Sequence, residues 1–425
     1  MDELELTKLL REHVDRHSVP GAALGVIRGD DASTAYVGTA DAGSGDRVTP
    51  ETCFAVGSLG KSMVATAVAR LAAAGRLALD DPIARHVPEL RGSSWAETDT
   101  IRDLLANRSR IPLRDEFEFG ASPDEGDDVL SRLAAKIATR EPSPAPWSYT
   151  NAGWSVLGRA LETVAGSTWE DAMRVHVLDP LGMAHATFAA SPRREPRAAG
   201  HEVTPDGPAP VAPWSPRGLG PAGSTPLCTL TDVLRLAREH LDEPSLATLR
   251  STHAEVRIHS WLDAWCLGMA RFDWPGGPVW GWDGVISGQR AILRLVPGRG
   301  AAVLLANSSN GRALYRSLFP ELMQEAFGIG MPPSALDPPS DAASELSRFE
   351  GVYAWPDRRV EVTETKGRLT IDDDGRRMEG IPLDDRVVLV DANDPDNPTV
   401  TFGAFGDDGR PQMLYVMLWG LPREA

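Results

Sequence analysis

Residues 54–75 read FAVGSLGKSMVATAVARLAAAG, and this stretch decides the fold. It is apolar and rich in alanine, and a glycine ends it, which is typical of a buried helix. Ser58 lies at the start of the predicted helix, and Lys61 follows three residues later on the same helical face. A serine there has a backbone N–H that can help form an oxyanion hole, and a buried lysine amine beside it can act as its base. An activated serine nucleophile is one interpretation of this stretch, and a chance pairing of a serine with a lysine at this spacing is the other.

The second motif is Tyr149-Thr150-Asn151, at the head of a helix predicted over residues 151–165. A tyrosine close to an ammonium group can relay the proton of the serine. Asn151 can hold Lys61 and donate its side-chain amide to a substrate carbonyl. Alone, an asparagine at this position is also explained as a helix cap. The two motifs together, each at a helix start, favour a catalytic interpretation.

Strands and helices alternate around these two motifs. Further helical patterns cover residues 3–16, 100–106 and 231–241. Short strand patterns cover residues 21–28, 34–37, 265–272, 288–296 and 301–307. The proline-rich stretch 190–226 is predicted to be a loop. Strands at both ends of the region, with helices between them, indicate one mixed sheet closed by the two ends.

The chain changes character after residue 330. Residues 331–344, MPPSALDPPSDAAS, are typical of a linker. Beyond them helical patterns disappear, and short strand patterns separated by turns cover residues 352–353, 359–363, 368–371, 386–390, 399–402 and 412–417. We therefore predict a catalytic domain over residues 1–330, a linker over 331–344, and a small β domain, a barrel or meander, over 345–425.

Length, charge and cysteine content argue against several classes of function. A chain of 425 residues is long enough for two or three domains and a large core. The net charge of −17 argues against binding to nucleic acid or anionic lipid. Three widely spaced cysteines form neither a disulfide framework nor a zinc ligand set. The acidic N-terminus lacks a secretory signal pattern and no apolar run could span a bilayer, so we expect a soluble, cytoplasmic protein.

The chain resembles the serine β-lactamase and penicillin-binding-protein superfamily, on the branch of class C β-lactamases, D-peptidases and esterases. The S-x-x-K motif at Ser58 followed by the Y-x-N motif at Tyr149 is the signature of that branch. The stretches TIRDLL (100–105), NAGW (151–154) and PLGM (180–183) are also similar. The resemblance covers roughly residues 5–330. It implies an α/β fold, a class C β-lactamase-like mixed sheet flanked by helices plus a helical subdomain, and chemistry without a cofactor or metal.

The resemblance also implies a third motif, written Lys-Thr-Gly or His-x-Gly in the family. The matching place here is Gly281-Trp282-Asp283-Gly284, where Trp282 replaces the cation. The resemblance assigns substrate contacts to Trp282, Asp283 and Gly284, and a second oxyanion donor, beside that of Ser58, to the N–H of Val285. We expect Trp282 to form a flat apolar wall. For the other tryptophans of residues 261–282, a place beside it along an apolar groove and a place in the core are both open. Loss of the cation leaves acylation chemistry in place and argues against β-lactam hydrolysis.

These features predict a serine acyl-enzyme hydrolase or acyltransferase. The candidates are a cytoplasmic esterase, a D-stereospecific peptidase, and a stand-alone thioesterase of nonribosomal peptide assembly lines. The last class resembles this chain because it joins such a catalytic domain to a lipocalin-like C-terminal β domain. We therefore favour a peptidyl thioesterase that takes a peptidyl or acyl ester or thioester and releases the peptide by macrocyclisation or hydrolysis. A carrier protein is one candidate for the group that holds the thioester. A non-catalytic relative that only binds a ligand is the alternative from another class.

Arg423 is the last candidate for the site. It stands close to the C-terminus, after Leu421-Pro422, at the end of the predicted β domain. A guanidinium at that place can orient a peptide carboxylate or carbonyl if the tail reaches the cleft. The alternative interpretation is a solvated tail.

Overall fold

A computed structural model gives the fold. It describes residues 1–111, 126–189, 191, 196–258, 262–332, 346–355, 358–382, 387–389, 399–416 and 418–424. The α-helices of these residues are α1 (Glu3–Arg16), α2 (Gly60–Ala73), α3 (Ile83–His86), α4 (Ile101–Leu105), α5 (Val129–Ile137), α6 (Asn151–Ala165), α7 (Trp169–Met173), α8 (Leu230–Asp242) and α9 (Gly311–Phe327). None of the helices in the described residues is long and apolar enough to cross a membrane.

The centre of the fold is an eight-stranded sheet in the order β2-β1-β13-β12-β11-β10-β9-β8. Its strands are β1 (Gly21–Arg28), β2 (Asp31–Gly38), β8 (Ala254–Ile258), β9 (Leu262–Trp265), β10 (Ala270–Trp274), β11 (Gly277–Ile286), β12 (Gln289–Val296) and β13 (Gly300–Ala306). β1 pairs with β13, so the two ends of the region meet in the sheet, as the sequence predicts. α8 packs on β1 and β13, while α1 and α9 pack against each other.

The prediction of a mixed sheet is wrong, because every strand pair in this sheet is antiparallel. The strands from β8 to β13 follow one another through short connections, and a short connection joins antiparallel strands. The predicted strand over residues 265–272 is two strands, β9 and β10. Both faces of the sheet are covered, which explains why β1 and β13 are almost continuously apolar and buried.

Two predicted stretches differ in detail. Phe54–Ala55 is strand β3, which pairs with β7 (Pro226–Cys228), which in turn pairs with β4 (Thr187–Phe188). Gly57–Leu59 is a 3₁₀ turn, and the α-helix begins only at Gly60. The predicted loop 190–226 contains the hairpin of β5 (Gly200–Thr204) and β6 (Gly207–Val211) and the 3₁₀ helix Arg217–Ala222, and it ends at the first residue of β7. Local patterns missed these elements because they are short.

The C-terminal region is an eight-stranded antiparallel meander, β14 to β21 in sequence order. Its strands are β14 (Gly351–Ala354), β15 (Arg359–Thr365), β16 (Arg368–Asp373), β17 (Arg376–Pro382), β18 (Val387–Leu389), β19 (Thr399–Phe405), β20 (Pro411–Val416) and β21 (Trp419–Pro422). The edge strands meet at one bridge, between Tyr353 and Arg423. The meander has a core of its own, which contains Phe349, Tyr353 and Phe402.

The structure therefore supports a small antiparallel β domain after the catalytic fold. A closed, lipocalin-like barrel stays a prediction, as do the domain bounds 1–330 and 345–425. Most of the predicted linker, from residue 333 onward, lies outside the described residues.

Candidate active site

Ser58 lies in the 3₁₀ turn that precedes α2, and two glycines let β11 approach this turn. Gly57 has a φ of +53°, and a Cβ added to it would lie 2.6 Å from the nitrogen of Val285. A Cβ at Gly284 would lie 1.7 Å from the carbonyl oxygen of Val56. Only glycines permit so close an approach of two backbones. The structure thereby brings Ser58 and the N–H of Val285 together, the pair that the sequence assigns to an oxyanion hole.

Gly223 closes the turn from the other side. Its φ is +115°, and a Cβ there would lie 2.0 Å from the carbonyl oxygen of Gly57 and 2.9 Å from the nitrogen of Ser58. The preceding residue, Ala222, turns its carbonyl oxygen toward Lys61. Sequence reasoning missed this contribution, because a backbone acceptor has no side-chain signature.

Lys61 is completely buried and joins both predicted motifs. Its Nζ donates to Asn151 Oδ1 and to the carbonyl oxygen of Ala222, each at 2.6 Å, and lies 3.0 Å from Ser58 Oγ. The first two partners accept hydrogen bonds only, so they occupy two of the amine hydrogens. The third position on the nitrogen then faces Ser58. It carries a lone pair in the neutral amine and a hydrogen in the ammonium, so the same geometry suits a base and an acid.

Tyr149 lies beside this pair. The Nζ of Lys61 is 4.9 Å from the centroid of its ring. Its hydroxyl oxygen accepts a hydrogen bond from Nε1 of Trp282 at 3.3 Å. A cation over the ring and an N–H group that donates a hydrogen bond to the hydroxyl oxygen both stabilise negative charge on a phenol. Ser58, Lys61, Tyr149 and Asn151, predicted from two separate motifs, therefore meet in one site.

Trp282 is not the wall of a substrate groove. Its side chain is only 3% exposed, and its ring lies edge-on to Trp265 with 4.7 Å between centroids. Trp265 is itself fully buried. The two indoles pack behind Tyr149, and this aromatic packing removes them from the cleft. The expected apolar wall is therefore wrong for Trp282, Trp265 is one of the tryptophans that belong to the core, and Trp261 lies outside the described residues.

Asp283 also differs from its predicted substrate contact. Its carboxylate forms a 2.6 Å ion pair with Arg294, which is 2% exposed and also donates to the hydroxyl of Tyr315. Successive residues of a strand point to opposite faces, so Asp283 points away from the face that carries Trp282. Asp283 is therefore a structural partner of a buried arginine. Gly284 packs against the backbone of the Ser58 turn, and its predicted substrate contact stays a prediction.

Arg423 lies within the β domain. Its guanidinium donates to the carbonyl oxygens of Glu350 and Pro411, and it lies 5.7 Å from the ring centroid of Tyr353. These contacts fasten the last strand of the meander to the first. They place the charge inside the β domain, so this geometry does not support the predicted role in orienting a substrate.

The cleft above Ser58 is open to solvent and has a cavity volume of about 170 Å³. It is lined by glycines, small polar residues and apolar side chains, among them Trp214, Leu219, Val285 and Ile286. Trp214 is 40% exposed and its N–H donates to Ser287 Oγ at 2.8 Å, so the loop that carries it is fastened to the end of β11. Sequence reasoning missed Trp214 and Leu219. The available signal was a tryptophan flanked by prolines in a stretch predicted to be a loop.

Comparisons with known proteins show the family and the fold. The family model described as Beta-lactamase matches residues 6–324. Penicillin-binding protein 4 of Amycolatopsis lactamdurans is 33% identical over 361 residues, which are 79% of this chain and 93% of the relative. The crystal structure of SurE is similar over 99% of both chains, with a TM-score of 0.83 and 26% identity, and SurE with D-Leu has a TM-score of 0.81. A class C β-lactamase from Rhodobacter sphaeroides shares the fold over 74% of this chain and 98% of its own, with 23% identity and a TM-score of 0.61.

Proposed function

The chain belongs to the β-lactamase family and has its serine hydrolase fold, and from this premise we propose that it is an acyl-enzyme hydrolase or acyltransferase with Ser58 as nucleophile. The observation that carries the proposal is the position of Lys61 Nζ. This atom lies 3.0 Å from Ser58 Oγ while Asn151 and the carbonyl of Ala222 fix its other two directions. A ligand-binding relative without catalysis has no need of an amine held in this way.

The reaction follows from this arrangement in two steps. Ser58 Oγ attacks the substrate carbonyl, and its proton passes to Lys61 or, through it, to Tyr149. The backbone N–H groups of Ser58 and Val285 stabilise the oxyanion. The tetrahedral intermediate then expels the leaving group, which takes up the proton, and an ester on Ser58 remains. Water or an amine attacks that ester, loses a proton to the same base, and releases the acyl group while Ser58 regains its hydrogen.

The cleft favours an acyl group without a negative charge. Among the described residues that line it there is no lysine, arginine or histidine, and Lys61 lies buried beneath Ser58. A carboxylate there lacks a cationic partner, whereas Trp214, Leu219 and Ile286 offer apolar contacts. An ester or thioester of an apolar peptide residue suits these walls better than the carboxylate-bearing ring system of a β-lactam.

We therefore favour a cytoplasmic peptidyl thioesterase that takes a peptide from a thioester onto Ser58 and releases it by macrocyclisation or hydrolysis. The choice rests on the two-domain organisation, and the similarity to SurE extends over 99% of both chains and so includes the C-terminal β domain. The relative with bound D-Leu suggests a D-residue at the acylating end of the peptide. A carrier protein as donor and a site in the cytoplasm belong to the same proposal.

The test offers a short peptide as its small-molecule thioester, with a D- or an L-leucine at the acylating end. We expect faster release from the D-peptide by the wild-type protein and no release by Ser58→Ala, with products identified by mass. Trp214→Ala is expected to raise KM for the leucine thioester about 5-fold, the scale of a partly buried side-chain contact. Rapid cleavage of simple acetyl or aryl esters, with both thioesters inert, would establish an esterase instead.

A further inference from the structure

The segment that carries Tyr149 is fastened to the C-terminal β domain. The N–H of Tyr149 donates to the carbonyl oxygen of Leu418 at 3.0 Å. The N–H of Gly420 donates to Ser148 Oγ at 3.2 Å. On its other side the segment is held by the catalytic domain, where the N–H of Ser148 donates to the carbonyl of Asn107 at 3.0 Å. Residues on both sides therefore fix the backbone next to Tyr149.

The contact with the β domain is close. A Cβ added to Gly420 would lie 2.7 Å from the carbonyl oxygen of Trp147. Leu418 is 7% exposed, and together with Met413 and Tyr415 it belongs to the hydrophobic core of the catalytic domain and not to that of the meander. The turn between β20 and β21 is therefore packed into the catalytic domain.

Aromatic rings extend this contact to the site. Tyr415 of β20 lies edge-on to Trp147, with 5.9 Å between the ring centroids. The ring centroids of Trp147 and Trp265 are 6.4 Å apart. Trp265 in turn lies edge-on to Tyr149, with 5.7 Å between their ring centroids. The hydroxyl of Tyr149 is in turn bonded to Trp282. Movement of β20 would thus change the packing around the ring of Tyr149, over which the amine of Lys61 lies.

We propose that the C-terminal β domain positions Tyr149 for proton transfer, with Leu418 and Gly420 as positioning residues. This rests on the proposed function, in which Tyr149 relays a proton. The hydrogen bond from the Tyr149 N–H fixes the backbone, and the Tyr415–Trp147–Trp265 contacts fix the plane of the ring. The β domain acts through this segment, and the cleft residues that contact the substrate are untouched.

The test substitutes Gly420→Ala, with Gly409→Ala as the matched control. Gly409 lies in the turn before β20, where an added Cβ has no atom within 4 Å, although its φ of +74° makes alanine unfavourable there. The control therefore perturbs the β domain without touching residues 147–149. Two properties are measured: the rate of Ser58 acylation by a p-nitrophenyl ester per titrated active site, across pH, and hydrogen exchange of residues 147–151.

We expect Gly420→Ala to lower the acylation rate per site about 10-fold or more, with a shifted pH profile and unchanged KM, because small displacements of a proton relay are costly. Exchange of residues 147–151 should accelerate, and Gly409→Ala should match the wild type in both measurements. In a Tyr149→Phe background, Gly420→Ala should have no further effect, since both changes remove the same contribution. Ser148→Ala, which removes only the Gly420 partner, is the milder variant if Gly420→Ala does not fold.

Wild-type rates and exchange in Gly420→Ala or, where it is used, in Ser148→Ala would overturn the inference. Equal losses in Gly409→Ala and Gly420→Ala, or additive losses with Tyr149→Phe, would also overturn it. An ester that fails to acylate the wild type would count against the proposed function, and hydrogen exchange would then still decide whether the β domain holds the Tyr149 segment.

Discussion

At the residue scale, Asn151 Oδ1 and the carbonyl oxygen of Ala222 can only accept hydrogen bonds from Lys61, whereas Ser58 Oγ can also donate one. We expect Ser58→Ala and Lys61→Ala each to lower acylation at least ~10³-fold, because nucleophile and base act as a unit. Lys61→Arg is the matched control, since it keeps the charge but cannot lose it at neutral pH. Burst kinetics with an activated ester measure the rates. Near-normal turnover in Lys61→Ala or Lys61→Arg would assign the base to Tyr149 with another partner.

Trp282 occupies the position at which the family has a cationic residue, and its indole N–H donates a hydrogen bond to the hydroxyl of Tyr149. Trp282→Phe keeps an aromatic ring and removes that donor. We expect acylation per site to fall about 3- to 10-fold, the effect of one neutral hydrogen bond. The rise of activity with pH should move to higher pH, since a phenolate without the donor is less stable. An unchanged pH profile would show that the contact with Trp282 does not tune the relay.

At the scale of elements, the approach of β11 to the Ser58 turn depends on Gly284. Gly284→Ala places a methyl group 1.7 Å from the carbonyl oxygen of Val56, so one of the two backbones must move. We expect acylation to fall about 100-fold or more, because the oxyanion donors separate. Gly298→Ala is the control, at a turn glycine whose added Cβ meets no atom within 4 Å. Equal rates for the two variants in stopped-flow acylation would contradict the role of this contact.

The helix α6 contains a group that should make stability depend on pH. Burial raises the pKa of Glu162 from its ordinary 4.5 to about 7, although Arg159 lies 3.3 Å away. A raised carboxyl pKa favours the folded state at low pH, and this contribution is lost as pH rises from 4.5 through about 7. The loss is at most about 3 kcal/mol.

Glu162→Gln should flatten this pH dependence of the free energy of unfolding, measured by urea denaturation. Glu325→Gln, at an exposed side chain of α9, serves as the control and should leave the dependence as in the wild type. If Glu162→Gln and the wild type lose stability in parallel over this range, Glu162 is not the group responsible.

The sequence predicts Lys61 and the three residues that meet around it, because each of the four carries its chemistry in a side chain near a helix start. Residue spacing does not predict which side chains are buried by packing. Substrate contacts are therefore predicted for Trp282 and Asp283. In the structure Trp282 packs behind Tyr149, and Asp283 forms an ion pair with Arg294. The carbonyl of Ala222 has no sequence signal, because every residue has a carbonyl.

At the scale of the whole molecule, the sequence indicates one sheet closed by its two ends, and β1 pairs with β13. The antiparallel direction of every strand pair depends on connections that strand patterns alone do not reveal. The contact between Leu418 and Tyr149 joins residues that are far apart in the chain, and it became visible only in three dimensions. The meander is therefore more than an appended domain, since part of it completes the core beside the site.

The most direct test of the central claim is the intact mass of the protein after brief mixing with a D-leucyl peptide thioester, followed by peptide mapping. If Ser58 is the nucleophile, the mass increases by one peptidyl group, which is located on Ser58 and is absent in Ser58→Ala. The adduct should disappear as free peptide, linear or cyclic, is released. A wild-type protein that releases peptide with the mass added elsewhere, or that gives no adduct and no product with any ester or thioester, would contradict the account.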